Sequence, residues 1–165
     1  MKSMYLADRD IKALIEKGEL IIKSLNPDKP FDTDTQIQPA SIDLRLYNKF
    51  YRPRKDIASI DIALDTSHVE NYMTLEEYDE YEEIELTPGE WLFGQTLEWF
   101  ELPDFVAGKI EAKSRIARLG ITVHFSADFS NLGYRGCFPL QIRNNNNPFT
   151  VKIYPLYPNC TVNLS

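Results

Sequence analysis

Residues 41–50 read SIDLRLYNKF. Ile42, Leu44 and Leu46 fall on one side, and Asp43, Arg45 and Tyr47 on the other. That period of two marks a strand with one face in a core. The signature recurs outward along the chain. Residues 91–97 follow a Pro88-Gly89 turn, 106–111 are extended after Pro103, and 121–125 (ITVHF) form a β-branched and aromatic run. Residues 137–143 alternate again, with Phe138, Leu140 and Ile142 on one face. Pro139 removes a ladder donor there, which implies an edge or a bulge. Residues 144–148 (NNNNP) read as a turn, 151–154 as the last clear strand, and 60–64 as a further short one. Toward the N-terminus, residues 8–18 (DRDIKALIEKG) predict a helix capped by Asp8 or Asp10. Ile11, Leu14 and Ile15 share its face and Gly18 ends it. Residues 20–22 are extended, and 26–35 are an Asp-, Pro- and Thr-rich loop. Many short strands and one good helix predict an all-β sandwich or barrel. It is one domain over residues 1–165, without internal repeats.

The 165 residues are 43% apolar and 12% aromatic, enough for a core. The formal charge of −7 argues against a basic surface for duplex nucleic acid. Residues 76–85 (EEYDEYEEIE) hold seven acids and no base. Without them the remaining acids match the 18 Lys plus Arg, so the run reads as a solvated acidic loop. No window approaches the length of a membrane span, and the start MKSMYLADRD carries no secretory pattern. A cytoplasmic protein is expected. Cys137 and Cys160 are read as buried thiols, too few for a disulfide framework. His68 and His124 are too few for an all-histidine metal site. His124 reads as a core or interface histidine, and Trp91 and Trp99 as core or interface anchors.

Residues 112–120 (AKSRIARLG) allow a turn or two of helix ending at Gly120. Residues 109–136 carry five bases against two acids. Serine, arginines and a helix start together make an anion site. The alternative is a surface turn with scattered arginines.

These segments resemble the dCTP deaminase branch of the dUTPase-like superfamily. The resemblance rests on QPASIDLRL (38–46), KSRIARLGITVH (113–124) and GYRG (133–136), in that order, within blocks that cover most of the chain. It implies a distorted jelly-roll β-barrel with a short N-terminal helix. It also implies a homotrimer with an active site at each subunit interface, and a deoxypyrimidine triphosphate with Mg²⁺ on its phosphates. Zinc is not part of the family's chemistry, in contrast to the His/Cys deaminases.

Carried onto this sequence, the resemblance implies catalytic positions at Gln141, Asn131 and Ser114. It implies nucleotide contacts at Lys113, Ser114, Arg115, Arg118, Asn131, Tyr134 and Gln141, and a weaker role for Asp43 toward phosphate-bound Mg²⁺. Two positions depart from the family. The glutamate that moves protons in deamination is Gln141, and the aspartate before the GxRG turn is Asn131. An amide keeps shape and hydrogen-bonding capacity but does not accept a proton at neutral pH. Lys113 replaces a forked arginine, and Arg115 replaces a serine of the phosphate turn. The family's P-G-x-x-I-G-Q-L segment and closing tail are not recognisable in YPNCTVNLS (157–165).

Three readings follow. One is a trimer that binds a deoxynucleotide with lost or weak catalysis. The second is an active dCTP deaminase or dUTPase with a rearranged site, in which Asp128 or Glu111 serves. The third is a fold-only protein that assembles with an active paralogue.

Overall fold

A computed structural model describes residues 5–61, 68–146 and 148–165. Helix α1 (Asp8–Glu16) precedes β1 (Ile21–Ser24), a short helical turn α2 (Thr33–Gln36), β2 (Ile37–Gln38), β3 (Ser41–Arg45) and β4 (Lys49–Pro53). A 3-10 turn (Val69–Asn71) leads to β5 (Met73–Glu77), β6 (Ile84–Leu86), β7 (Trp91–Glu101) and β8 (Gly108–Ala112). A second helical turn, α3 (Ser114–Ala117), is followed by β9 (Ile121–Thr122), β10 (Phe129–Ser130), β11 (Arg135–Asn144), β12 (Val151–Ile153) and β13 (Pro158–Leu164).

The class is all-β. One antiparallel sheet runs β5-β4-β7-β11-β9, with β1 added to β7; the other runs β10-β8-β13-β3-β2. A β12-β6 pair stands apart. The stretch 41–50 is the corner that joins the two large sheets. Ile42, Leu44, Leu46 and Phe50 are all fully buried, as the alternation predicts. They belong, however, to two strands in different sheets. The chain turns at Tyr47 and Asn48, and a Leu46–Thr96 bridge stitches the corner. Phe138, Leu140 and Ile142 enter the same core from β11, meeting Leu92 and Phe100 of β7. Phe100 and Phe138 pack with ring centroids 4.8 Å apart. The β11–β7 register shifts between Cys137 and Pro139, so the proline sits at a bulge.

Several expectations are corrected. Neither Asp8 nor Asp10 is the helix cap residue. Ala7 holds that place, and the Asp10 carboxylate accepts the Ala7 N–H at 3.2 Å from inside the first turn. Gly18 ends α1 as expected, at φ +70°. The 26–35 loop closes into α2, because Asp32 accepts the Asp34 N–H at 2.9 Å. The acidic run is not all loop. Its ends lie in β5 and β6, where Glu76 bonds Arg52 at 2.9 Å and Ile84 is fully buried. Strand β9 stops at Thr122, short of Phe125. Residues 151–154 are not the last strand, since β13 follows and lies between β8 and β3. The expected strand 60–64 lies largely outside the described residues, as does Asn147 of the 144–148 turn; Ile60 and Asp61 are not in a strand. Asn144 opens that turn as a buried strand residue, donating to Leu86 O and Phe149 O at 2.8 Å each. Among the described residues, no helix is long and apolar enough to cross a membrane.

Candidate functional site

The turn after β8 stands on a buried anchor, Ile116. The N–H groups of Ile116 and Ala117 donate to Lys113 O at 2.8 and 3.0 Å, and the Lys113 N–H donates to Asn159 O of β13 at 3.1 Å. Gly120 closes the turn at φ +73°, where a Cβ would meet Asn146 Cβ at 2.9 Å. Only glycine accepts both the conformation and the space. The Asn145 N–H donates to Gly120 O at 2.8 Å, which ties the turn to the end of β11.

This turn presents four of the expected residues, in different states. Ser114 and Arg118 are exposed. The Lys113 ammonium is in contact with Asp43 Oδ2, and Gln38 Nε2 reaches the same oxygen at 3.4 Å. Arg115 is tied to the start of β13. Its Nη2 donates to Pro158 O at 2.9 Å, and its guanidinium lies 4.7 Å from the centroid of the Tyr157 ring. It clamps a turn whose neighbour, Leu156, sits at φ +62°. A cavity of about 480 Å³ borders Asp43 and Arg45, with Asp32, Thr35, Gln36 and Pro158 in its wall.

Gln141 lies on β11 near the same end. Its N–H donates to Val123 O at 2.9 Å, and its Oε1 accepts the Phe125 N–H at 3.3 Å. The β11–β9 register pairs Arg143 with Thr122 and Asn144 with Ile121. That register is not kept past β9: Val123 O and the Phe125 N–H both meet Gln141, so His124 lies between the two residues that hold it. The His124 Nε2 is 3.8 Å from Glu111 Oε2, while its Nδ1 is buried with no partner among the described residues. Lys109 sits between two acids, 2.5 Å from Glu111 and 3.6 Å from Asp128.

Asn131 and Tyr134 form a turn at the other end of β11. The Tyr134 N–H donates to Asn131 O at 3.2 Å. The Tyr134 ring stacks on Phe138 at 5.3 Å, and its hydroxyl donates to Cys137 O at 2.6 Å. Six residue steps, about 20 Å, run from Arg135 to Gln141. Within one chain the turn of Lys113, Ser114 and Arg118 is tied through Gly120 to the end of β11, while Asn131 and Tyr134 lie at its start.

Sequence reasoning missed two features here. One is Glu98, fully buried beneath the cavity and bonded to Arg45 and Gln36. Its inward phase with Leu92, Thr96 and Phe100 was the available signal. The other is the placing of His124 between Val123 and Phe125, the two residues that hold Gln141, for which sequence carries no signal. Burial pushes the Cys137 thiol up to about 11 and raises that of Cys160 as well, so neither offers a ready nucleophile.

The chain was compared with known proteins. A family model described as dCTP deaminase-like matches residues 5–154. A protein of Dictyoglomus thermophilum named "dCTP deaminase, dUMP-forming" is 37% identical over 92% of this chain and 75% of its own. A protein of the same name from Nanoarchaeum equitans is 38% identical over 92% of this chain and 79% of its own. Among solved structures, the 2′-deoxycytidine 5′-triphosphate deaminase from Agrobacterium tumefaciens superposes with a TM-score of 0.72 at 25% identity. That match covers 97% of this chain and 47% of the Agrobacterium chain. A dUTPase of Staphylococcus bacteriophage 80alpha, at 10% identity and a TM-score of 0.55, shares the fold. With nearly all of its described length matched by the family model, the chain belongs to the dCTP deaminase-like family.

Proposed function

We propose that this protein binds a deoxypyrimidine nucleotide of the dCTP or dUTP class at sites shared between the subunits of a homotrimer, with weakened turnover. The observation that carries the reading is Gln141. It sits on the strand face where the family resemblance puts a proton-moving glutamate, and it is held there by Val123 and Phe125. Its amide offers a donor and an acceptor to a base edge but no proton acceptor. Asn131 keeps the capacity to hold a sugar hydroxyl.

A nucleotide that touches both Asn131 and Gln141 draws them from different chains, because a single chain keeps them at opposite ends of β11. Phe125, Phe129 and Leu132, at 48%, 63% and 58% exposure, supply apolar surface for such an interface. Ser114 and Arg118 hold the phosphates. Asp43 offers a hard oxygen of the kind Mg²⁺ takes beside phosphate and water, so it fits an ion carried in on the nucleotide. When bound, that ion would offset phosphate charge. Lys113 must leave Asp43 to reach a phosphate.

A second reading, an active deaminase, is favoured by the names of the relatives and by His124, which lies between the two residues that hold Gln141. The third, a protein that only assembles with a paralogue, is favoured by Arg115, whose charge is spent on the turn at Pro158.

The test is calorimetric titration of the native chain with dCTP, dUTP and dTTP in Mg²⁺, with product analysis and light scattering on the same samples. Binding by a trimer, with turnover far below that of the Gln141→Glu chain, is the expected result. A monomer at micromolar concentration, or turnover equal to that of Gln141→Glu, overturns the reading.

A further inference from the structure

Among the described residues, the His124 Nδ1 is buried with no partner, so this chain gives the imidazole no hydrogen bond there. The ring edge that retains surface carries Nε2, 3.8 Å from Glu111 Oε2. That gap is too long for a direct hydrogen bond and leaves a charge contact. The two chain neighbours of His124, Val123 and Phe125, both bond Gln141, the position whose carboxylate is missing. We propose that His124, backed by Glu111, is the group that accepts and returns protons in this site. The inference rests on the nucleotide reading above.

The step balances without any other reagent. A water gives one proton to His124 Nε2 as its oxygen bonds C4 of cytosine, and that proton passes to ring N3. The hydroxyl proton then travels the same way to the amino group. The C4–N bond breaks, ammonia leaves and the C4 carbonyl forms. Glu111, on the Nε2 side of the ring, offsets the charge of the imidazolium between transfers by Coulomb attraction. The charged groups around the ring are Glu111 and Lys109 of β8 and Asp128 after β9, with Arg143 further along β11, 5.9 Å from the Phe125 ring centroid. Gln141 and Phe125 add no charge.

The experiment measures ammonia release from dCTP by the native chain, His124→Gln and Glu111→Gln between pH 5.5 and 8.5, with dCTP affinity measured by calorimetry. The native chain is expected to release ammonia slowly but above the protein-free control. His124→Gln should cut that rate at least tenfold at an affinity within twofold of native. Glu111→Gln should also lower the rate, severalfold, at a dCTP affinity within twofold of native. A variant at this packed position can lose its fold, so the imidazole ¹⁵N resonances of the unaltered protein are followed as well. Saturating dCTP should shift those of His124 and leave those of His68 in place. No release above control, a rate indifferent to His124→Gln, or an unmoved His124 resonance overturns the proposal. If dCTP binds and any of these occurs, this inference alone falls. If no deoxynucleotide binds, the nucleotide reading falls with it.

Discussion

Arg45 Nε lies 2.7 Å from Oε1 of Glu98, a carboxylate with no exposed surface. The other oxygen of Glu98 accepts the Arg45 N–H at 2.9 Å, and Gln36 Nε2 donates to Oε1 at 2.9 Å. One buried acid thus fastens β3 of one sheet to β7 of the other. Removing one partner of a buried pair strands the other, at about 3–5 kcal/mol. Glu98→Ala is expected to lose that much, read as a lower urea midpoint at similar slope. Glu98→Gln keeps the shape and should lose less. A Glu98→Ala midpoint equal to native would show that the pair contributes nothing.

Gln141→Glu restores a proton acceptor on β11. A positioned general base contributes about 10²–10⁴-fold in rate. Ammonia release from dCTP should rise within that range when the substitution is made in the His124→Gln background, and by less over the native chain. No gain, with nucleotide affinity intact, would place the defect elsewhere in the pocket.

The cations of the Lys113 turn should separate by role. Arg118 is exposed toward the proposed phosphates, and loss of a hydrogen bond from a charged group costs about 1.5–3 kcal/mol. Arg118→Ala should weaken deoxynucleotide binding by that amount in calorimetry. Arg115→Ala should leave affinity near native and lower thermal stability, because Arg115 holds Pro158 and Tyr157. The reverse pattern would put Arg115 on the ligand.

Asp43 competes with phosphate for Lys113. Asp43→Asn frees that ammonium, so without Mg²⁺ the variant should bind dCTP more tightly than native. With Mg²⁺ the advantage should shrink, because the native carboxylate then has an ion to hold. Equal affinities in both conditions would mean that Lys113 never reaches the nucleotide.

Cys137 tests the burial of the β11 face. With its thiol raised to about 11, the group stays protonated across neutral pH. At pH 8 only about one thiol in a thousand is ionised, from the distance between pH and pKa. Maleimide should label the folded protein far more slowly than the urea-unfolded protein. Labelling at the rate of free cysteine would show the bulge at Pro139 to be open.

The parts of the fold legible in sequence are those whose alternation matches their burial. Ile42, Leu44 and Leu46, and Phe138, Leu140 and Ile142, read correctly because each faces one continuous core. Strand β13 was hidden. Pro155 and Pro158 suggest a breaker, and the register shift between Pro158 and Cys160 buries Asn159 and Cys160 in succession, which spoils the period of two. Glu98 was hidden because an acid reads as surface until Arg45, 53 residues away in sequence, is found beside it. Lys113 was read as a cation turned toward phosphate, yet it meets Asp43 across 70 residues. Such pairings depend on register, and register is a property of the folded sheet.

The placing of β13 also sets an order of assembly. Strands β3 and β8 do not pair with each other; each pairs with β13, which comes later in the chain. A nascent polypeptide that has not yet released residues 158–164 from the ribosome therefore presents two bare strand edges at once. Open edges of this kind invite pairing with other chains. During synthesis, the interval before these residues emerge is when this protein most needs a chaperone.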